Sequence, residues 1–193
     1  MPVSPLPREF YNRATLSVAR ALLGARLVRR LDGRRLSGFI TEAEAYVGQD
    51  DLGCHAHSGR TARNAVMFGP PGHAYVYFTY GMHWMLNAVT EAEGFPAAVL
   101  IRAFQPDEGR EVIAARREGR DTGGPAKLTQ ALGIERSLNG VDLCRRDGEL
   151  WIEPGLEVAD ALVQTGPRIG LYSVPEPWKS IPWRFRVAGR LPV

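Results

Sequence analysis

The chain is poor in cysteine, in lysine and in long apolar runs, and each shortage excludes something. Cys54 and Cys144 are its only cysteines, too few for a secreted disulfide scaffold. No stretch approaches the roughly 20 apolar residues of a membrane helix. The opening Met1-Pro2-Val3-Ser4-Pro5 lacks the apolar core of a signal peptide. These absences predict a cytoplasmic protein without a membrane partner. Internal repeats and low-complexity tracts are also missing. What is present, 45% hydrophobic and 23% charged residues, rules out wholesale disorder. At 193 residues the expectation is one domain over 1–193, large enough to bury roughly 70% of the surface of its unfolded chain without a metal or disulfide staple.

The basic residues are almost all arginine: Lys127 and Lys179 are the only lysines among 24 basic residues. Arginine forks suit phosphates, although base composition of a genome produces the same bias. Residues 20–35 hold Arg20, Arg26, Arg29, Arg30, Arg34 and Arg35 against Asp32, and residues 168–190 hold Arg168, Lys179, Arg184, Arg186 and Arg190 against Glu176. With an isoelectric point near 9.1, the pattern is compatible with a polyanionic partner.

Local signals predict a helix over 15–23, capped by Thr15 and stopped by Gly24. Asp32-Gly33 between two extended runs predicts a β-hairpin. A loop of about 26 residues, Val47 to Gly72, is long enough to be functional. Two strands joined at Tyr80-Gly81 span His73 to Val89. A strand over 97–104 is closed by Pro106, and a helix runs from Pro106-Asp107-Glu108-Gly109 to about Arg117. Another helix opens at Gly124-Pro125-Ala126 and ends at Gly133. Short strands between Gly and Pro turns fill 140–193. Strands in runs, without βαβ alternation, predict an α+β fold: a mainly antiparallel sheet with flanking helices and a protruding β-hairpin.

Three clusters are candidates for chemistry. Alternation along the second hairpin strand puts Ile40, Glu42, Glu44 and Tyr46 on one face, either a general base with its neighbour or two solvated acids. Cys54-His55-Ala56-His57 invites a zinc reading, but zinc sites carry a second ligand pair at fixed spacing and neither His73, His83 nor Cys144 supplies one. No metal and no cofactor is therefore expected. A metal-dependent hydrolase on Cys54, His55 and His57 stays as an alternative. The run Tyr75-Val76-Tyr77-Phe78-Thr79-Tyr80-Gly81-Met82-His83-Trp84 reads as a core strand or as a stacking surface whose turn forms a wedge between bases.

Several stretches together carry a resemblance: Glu42-Ala43-Glu44-Ala45-Tyr46-Val47-Gly48, His55 nine residues after Tyr46, Gly59-Arg60-Thr61-Ala62-Arg63-Asn64, Met67-Phe68, the aromatic run through Met82, and Asn87. Leu100-Ile101-Arg102-Ala103, Gly124-Pro125-Ala126-Lys127-Leu128 and Pro167-Arg168-Ile169-Gly170 extend it. In this order, from about Pro7 to Arg190, the chain resembles the alkyladenine (3-methyladenine) DNA glycosylases.

The resemblance implies a monomeric, monofunctional enzyme acting on double-stranded DNA that contains damaged purines, alkylated ones and in some relatives deaminated or etheno ones. It implies that Glu44 activates water and that Arg102 and the Ile169 carbonyl hold it. Tyr46 and His55 would lie on one side of the flipped base and Tyr77 on the other, with cation–π attraction favouring a cationic base and His55 neutral. Asn87 would crowd the 2-amino group of guanine. Tyr80 would fill the gap in the duplex, with Met82 and His83 beside it. Glu42 receives no role beyond that of an electrostatic neighbour. A damage-binding module without catalysis is the second alternative, and the presence of Glu44 argues against it.

Overall fold

A computed structural model describes residues 3–192; Met1, Pro2 and Val193, the ends of the expected domain, lie outside the described residues. The element order is α1 (Arg8–Tyr11), α2 (Thr15–Ala21), β1 (Arg26–Leu31), β2 (Arg34–Val47), β3 (Ala74–Thr79), β4 (His83–Val89), β5 (Ala97–Glu108), α3 (Arg110–Arg116), α4 (Pro125–Leu132), β6 (Leu150–Glu153), β7 (Val163–Gly166) and β8 (Arg184–Val187). All named strand pairs are antiparallel. The sheet runs β3-β4-β5-β2-β1-β6, with β8 on β2 and β7 on β8. This is the α+β architecture expected.

The sheet has two different faces because side chains alternate along a strand. Ala43 and Ala45 of β2, Ala74 and Val76 of β3, Leu86 and Ala88 of β4, and Val99 and Ile101 of β5 enter the main core with α2 and α4. Each large aliphatic side chain buried there contributes roughly 1.5–3 kcal/mol. The alternate positions of these strands carry Tyr46, Tyr75, Tyr77, Met85, Asn87, Leu100 and Arg102. A smaller apolar cluster of Cys54, Ala56, Met67, Tyr75, Val89 and Ala98 sits on that second side, beneath the 47–72 loop.

β2 changes partners along its length. β1 accompanies it from Arg34 to Phe39, β8 takes over from Glu42 to Glu44, and β5 runs along the other edge from Ser37 to Val47. Glu44 is therefore on a strand held from both sides.

Several local expectations are corrected. Thr15 is the first helical residue and not the cap. Its N–H and hydroxyl both donate to Glu91 Oε1, at 3.1 and 2.7 Å, so a distant carboxylate meets the positive helix end. The helix closes at Ala21. Pro106 does not end β5, which continues to Glu108. Gly38 faces Pro106, with a register shift beside it, and an extended proline is tolerated at such an irregularity. Asp107 is drawn to Arg26, and Glu108 accepts from Arg35 at 2.5 Å and Ser37 at 2.8 Å. These contacts hold Asp107 and Glu108 in the strand, and α3 starts after Gly109. Ile40 does not share the face of Glu42: register shifts on either side of Glu42 change the alternation, and Ile40 joins the main core.

The Asp32-Gly33 turn has φ of 50° and 73°, and Tyr80-Gly81 has 52° and 67°. Two successive left-handed residues make the tight turn that matches strand twist. Asp and Gly suit it, whereas a tyrosine there is strained.

A Cβ on Gly38 would lie 2.3 Å from the Phe104 ring and 2.5 Å from the Gln105 carbonyl. Gly38→Ala should therefore lower the unfolding free energy by about 1–3 kcal/mol, as overpacking does; urea unfolding unchanged from the parent would contradict this account of the β2–β5 irregularity.

Candidate active site

The second face of the sheet, the 47–72 loop and the 167–171 segment enclose a cavity of about 330 Å³. Tyr46, His55, Tyr77, Asn87, Arg102 and Ile169 line it, with Met67, Met85 and Leu100 among the apolar groups and Tyr80 at its edge. The volume is in the range of small-molecule pockets.

Glu44 has no exposed surface, and its partners are three cavity-lining residues. Oε1 accepts from the Ile169 N–H at 2.7 Å; Oε2 accepts from the Tyr46 hydroxyl at 2.9 Å and Arg102 Nη1 at 3.3 Å. Burial pushes the carboxyl above its usual range, and Arg102, the Ile169 N–H and Tyr46 pull it back only in part. Burial and Glu44 together raise the Tyr46 phenol well above its ordinary value, so it stays a proton donor. A carboxylate has about four lone-pair sites; Oε1, with one donor, keeps one open.

Glu42 is not a solvated bystander. Its Oε1 accepts from Arg102 Nε at 3.0 Å and Arg184 Nη1 at 3.1 Å. Arg102 thus lies between the two carboxylates, with its orientation fixed by the outer one.

The rings are arranged differently from the expectation. His55 touches Tyr77 edge-on, centroids 4.5 Å apart, and its Nδ1 is 3.0 Å from the Tyr75 hydroxyl. His55 therefore sides with Tyr77, opposite the assignment that grouped it with Tyr46, because Tyr75 and Tyr77 alternate onto the same face and hold it. Part of the His55 ring faces solvent at the cavity edge, yet the buried part and the nearby Arg63 lower it to about 4, so it is neutral at pH 7. Burial raises Tyr77 to about 12.

Each tyrosine wall is backed by a guanidinium outside the cavity lining. Arg168 lies 4.6 Å from the Tyr46 centroid, and Arg63 lies 5.3 Å from that of Tyr77. Both rings already carry a cation, which weakens their pull on another.

Arg168 and Asp51 are the partners that sequence reasoning missed. Both side chains are fully buried. Arg168 donates to Asp51 Oδ2 at 2.5 Å and Oδ1 at 2.8 Å, and to the Ala45 carbonyl at 3.0 Å. Asp51 also accepts from the N–H groups of Val47 and Gly53. The Pro167-Arg168-Ile169-Gly170 motif flagged the segment; nothing in the sequence paired it with Asp51.

Asn87 is buried and donates to the Tyr75 carbonyl at 3.0 Å. Tyr80 and Met82 are 78% and 68% exposed at the hairpin tip. Met82 and the half-buried His83 turn toward a separate groove shared with Trp84, Arg116 and α4. His57 is exposed and away from the cavity lining. Burial pushes the Cys54 thiol up to about 12, and among the described residues no three His, Cys, Asp or Glu side chains converge as metal ligands.

The N-terminal arginines are largely engaged with acids: Arg20 with Asp160, Arg26 with Asp107, Arg29 with Glu149, and Arg35 with Glu108 and Glu153. That stretch is a weaker polyanion surface than its composition suggests. No helix among the described residues is long and apolar enough to cross a membrane.

Comparison with known proteins shows the family. The family model described as methylpurine-DNA glycosylase matches residues 9–191. Similar chains, provisionally named 3-methyladenine DNA glycosylases, occur in Methanocella arvoryzae, 51% identical over 96% of this chain and 92% of the relative, and in Carboxydothermus hydrogenoformans, 50% identical over 93% of each. A third, from Myxococcus xanthus, is 47% identical over 94% of this chain and 89% of its own.

The raised Glu44 carboxyl has a stability consequence. A carboxyl whose folded value exceeds its unfolded one contributes fully below the unfolded value, and that contribution is lost as pH rises through the folded value. Glu44→Gln should therefore melt no lower than the parent near pH 8, with the difference shrinking toward about pH 4. Arg102 keeps Glu42 as its partner. A drop of several degrees at the higher pH would show that the charged form is not the strained one.

Proposed function

The chain belongs to the methylpurine-DNA glycosylase family, and from this we propose that it is a monofunctional glycosylase releasing alkylated purines, 3-methyladenine among them, from duplex DNA as a single-domain monomer. One observation carries the reading: a carboxylate shut away from bulk water, met by three donors, beside a tyrosine-walled cavity of purine size. That arrangement suits a base acting at a sugar carbon.

A stacked base is out of reach of such a cavity, so the nucleotide turns out of the duplex at a cost of a few kcal/mol, least for damaged pairs. Tyr80, held in a left-handed turn and exposed, fills the space left behind, flanked by Met82 and His83. The strain of a tyrosine at this turn is consistent with selection for a protruding ring.

The base lies between Tyr46 on one side and Tyr77 with His55 on the other. Asn87 crowds the position of the guanine 2-amino group. Its amide N–H₂ is engaged with the Tyr75 carbonyl, so it cannot swing away cheaply. The guanidinium-backed tyrosines bind the purine mainly by stacking and burial. This supports acceptance of neutral lesions such as hypoxanthine or ethenoadenine beside cationic ones.

A water takes the open lone pair of Glu44 Oε1, with Arg102 and the Ile169 carbonyl holding it. As the base leaves with the glycosidic electron pair, positive charge grows on the sugar. The Glu44 carboxylate stabilises that charge and removes a proton from the attacking water. Ile169 both donates to Oε1 and lines the cavity, so the water reaches Oε1 from that side. No metal enters the scheme.

Base release from duplexes each carrying one lesion tests the proposal. The parent should excise 3-methyladenine equally with and without chelator, and Glu44→Gln should lose at least about 100-fold in rate, the lower range for a general base, while still binding lesion DNA. Activity lost to chelator and restored by zinc would favour a metal site at Cys54, His55 and His57. Binding without any release by the parent would favour a damage-recognition module. Asn87→Ala should release more guanine opposite a mismatch, with alkyladenine release little changed; guanine release equal to the parent would remove Asn87 as the guard.

A further inference from the structure

The buried Arg168–Asp51 pair is poorly explained by stability. Burying two charges costs several kcal/mol per ion, and such pairs often do no better than apolar residues of similar volume. Here the cost is increased, because Arg168 Nε is buried without an acceptor, a loss of roughly 1–3 kcal/mol. An interaction retained at such a cost calls for another account.

Its connections supply one. The guanidinium ties together three parts of the chain: β2, through the Ala45 carbonyl; the 47–72 loop, through both oxygens of Asp51; and the C-terminal segment, which carries Arg168 itself. It lies against Tyr46 and, on Trp183, at 5.1 Å from the ring centroid. The next backbone N–H, that of Ile169, is the sole donor to Glu44 Oε1 among the described residues. Ile169 itself is 43% exposed on an irregular segment, with no ladder to fix that N–H.

We propose that Arg168, clamped by Asp51, is a positioning residue that sets the Ile169 N–H on Glu44 and the Tyr46 ring against the base. This rests on Glu44 being the base of the reaction. Arg168 does not line the cavity. A lysine carries the same charge but lacks the planar fork, so it cannot hold both Asp51 oxygens, the Ala45 carbonyl and the Tyr46 face together.

The acid limb of the rate against pH distinguishes positioning from mere structure. Glu44 is faced by Arg102 from β5, Glu42 and Tyr46 from β2 and Tyr77 from β3, with Arg184 of β8 acting through Glu42 and Arg168 behind Tyr46. All of these charges persist in Arg168→Lys. Loss of the Ile169 donor then leaves burial less opposed, and the Glu44 carboxyl rises further.

Single-turnover excision at saturating enzyme, followed across pH, is the experiment. Arg168→Lys should slow excision on the order of 10–100-fold, the range for a displaced catalytic group. Its affinity for lesion duplex should stay within about twofold, RT-scale, and its acid limb should move to higher pH. Ile169→Pro deletes the donor itself, with proline also restricting the Arg168 backbone before it; it should show the same slowing and the same shift. Should Arg168→Lys fail to fold, Asp51→Asn, which weakens the clamp and keeps Arg168, decides by the same readouts; parental rate and acid limb in it would overturn the inference. Parental rate and acid limb in Ile169→Pro, or a folded Arg168→Lys that loses affinity only, overturns the inference. If the parent releases no base, or Glu44→Gln is fully active, the failure belongs to the functional reading instead.

Discussion

A carboxylate without water must be given donors by the protein, and the arrangement around Glu44 follows from that requirement. An isolated buried charge is prohibitive; three donors reduce the cost without cancelling it, and the carboxyl stays raised. A hydroxyl from the same strand, a guanidinium from β5 and a backbone N–H from the C-terminal segment all have to arrive together. Glu42 and Arg184 extend the set by fixing the middle cation. The local charge is thus close to balanced: two acids, two arginines and one neutral hydroxyl.

The aromatic walls obey a different logic. Tyr46 and Tyr77 present faces to the cavity and lean on guanidinium groups behind. A cation already set against a ring weakens that ring's pull on a second one. On the proposed function, selectivity would rest on shape, on exclusion by Asn87 and on how easily a damaged nucleotide leaves the duplex.

Much of this was legible in the residues themselves. Asp32-Gly33, Gly133 and the aromatic hairpin declared their turns, because left-handed backbone and tight strand twist leave few choices. Tyr46, Tyr77, Arg102 and Ile169 line one cavity, and Glu44 lies beside it, bonded to three of them. What misled was tertiary override. Pro106 reads as a stop, yet Gly38 and paired arginines hold the strand through it. Ile40 reads as a neighbour of Glu42, yet a register shift no pattern reveals sends it into the core. Asp51 and Arg168, 117 residues apart, carry no local signal of each other. The side of the cavity taken by His55 depended on Tyr75, whose hydroxyl role no spacing discloses.

The place of β8 bears on how the protein comes into being. The strand bearing Glu44 is made early in synthesis, but its flanking strand at 184–187 and the donors at 168 and 169 emerge near the end. Of the partners of Glu42 and Glu44, only Arg102 and Tyr46 precede these late residues; Ile169 and Arg184 come from the last part of the chain. The surroundings of Glu44 are therefore completed only by residues 168–187, so a chain cut short before them lacks both the β8 edge and the Ile169 donor.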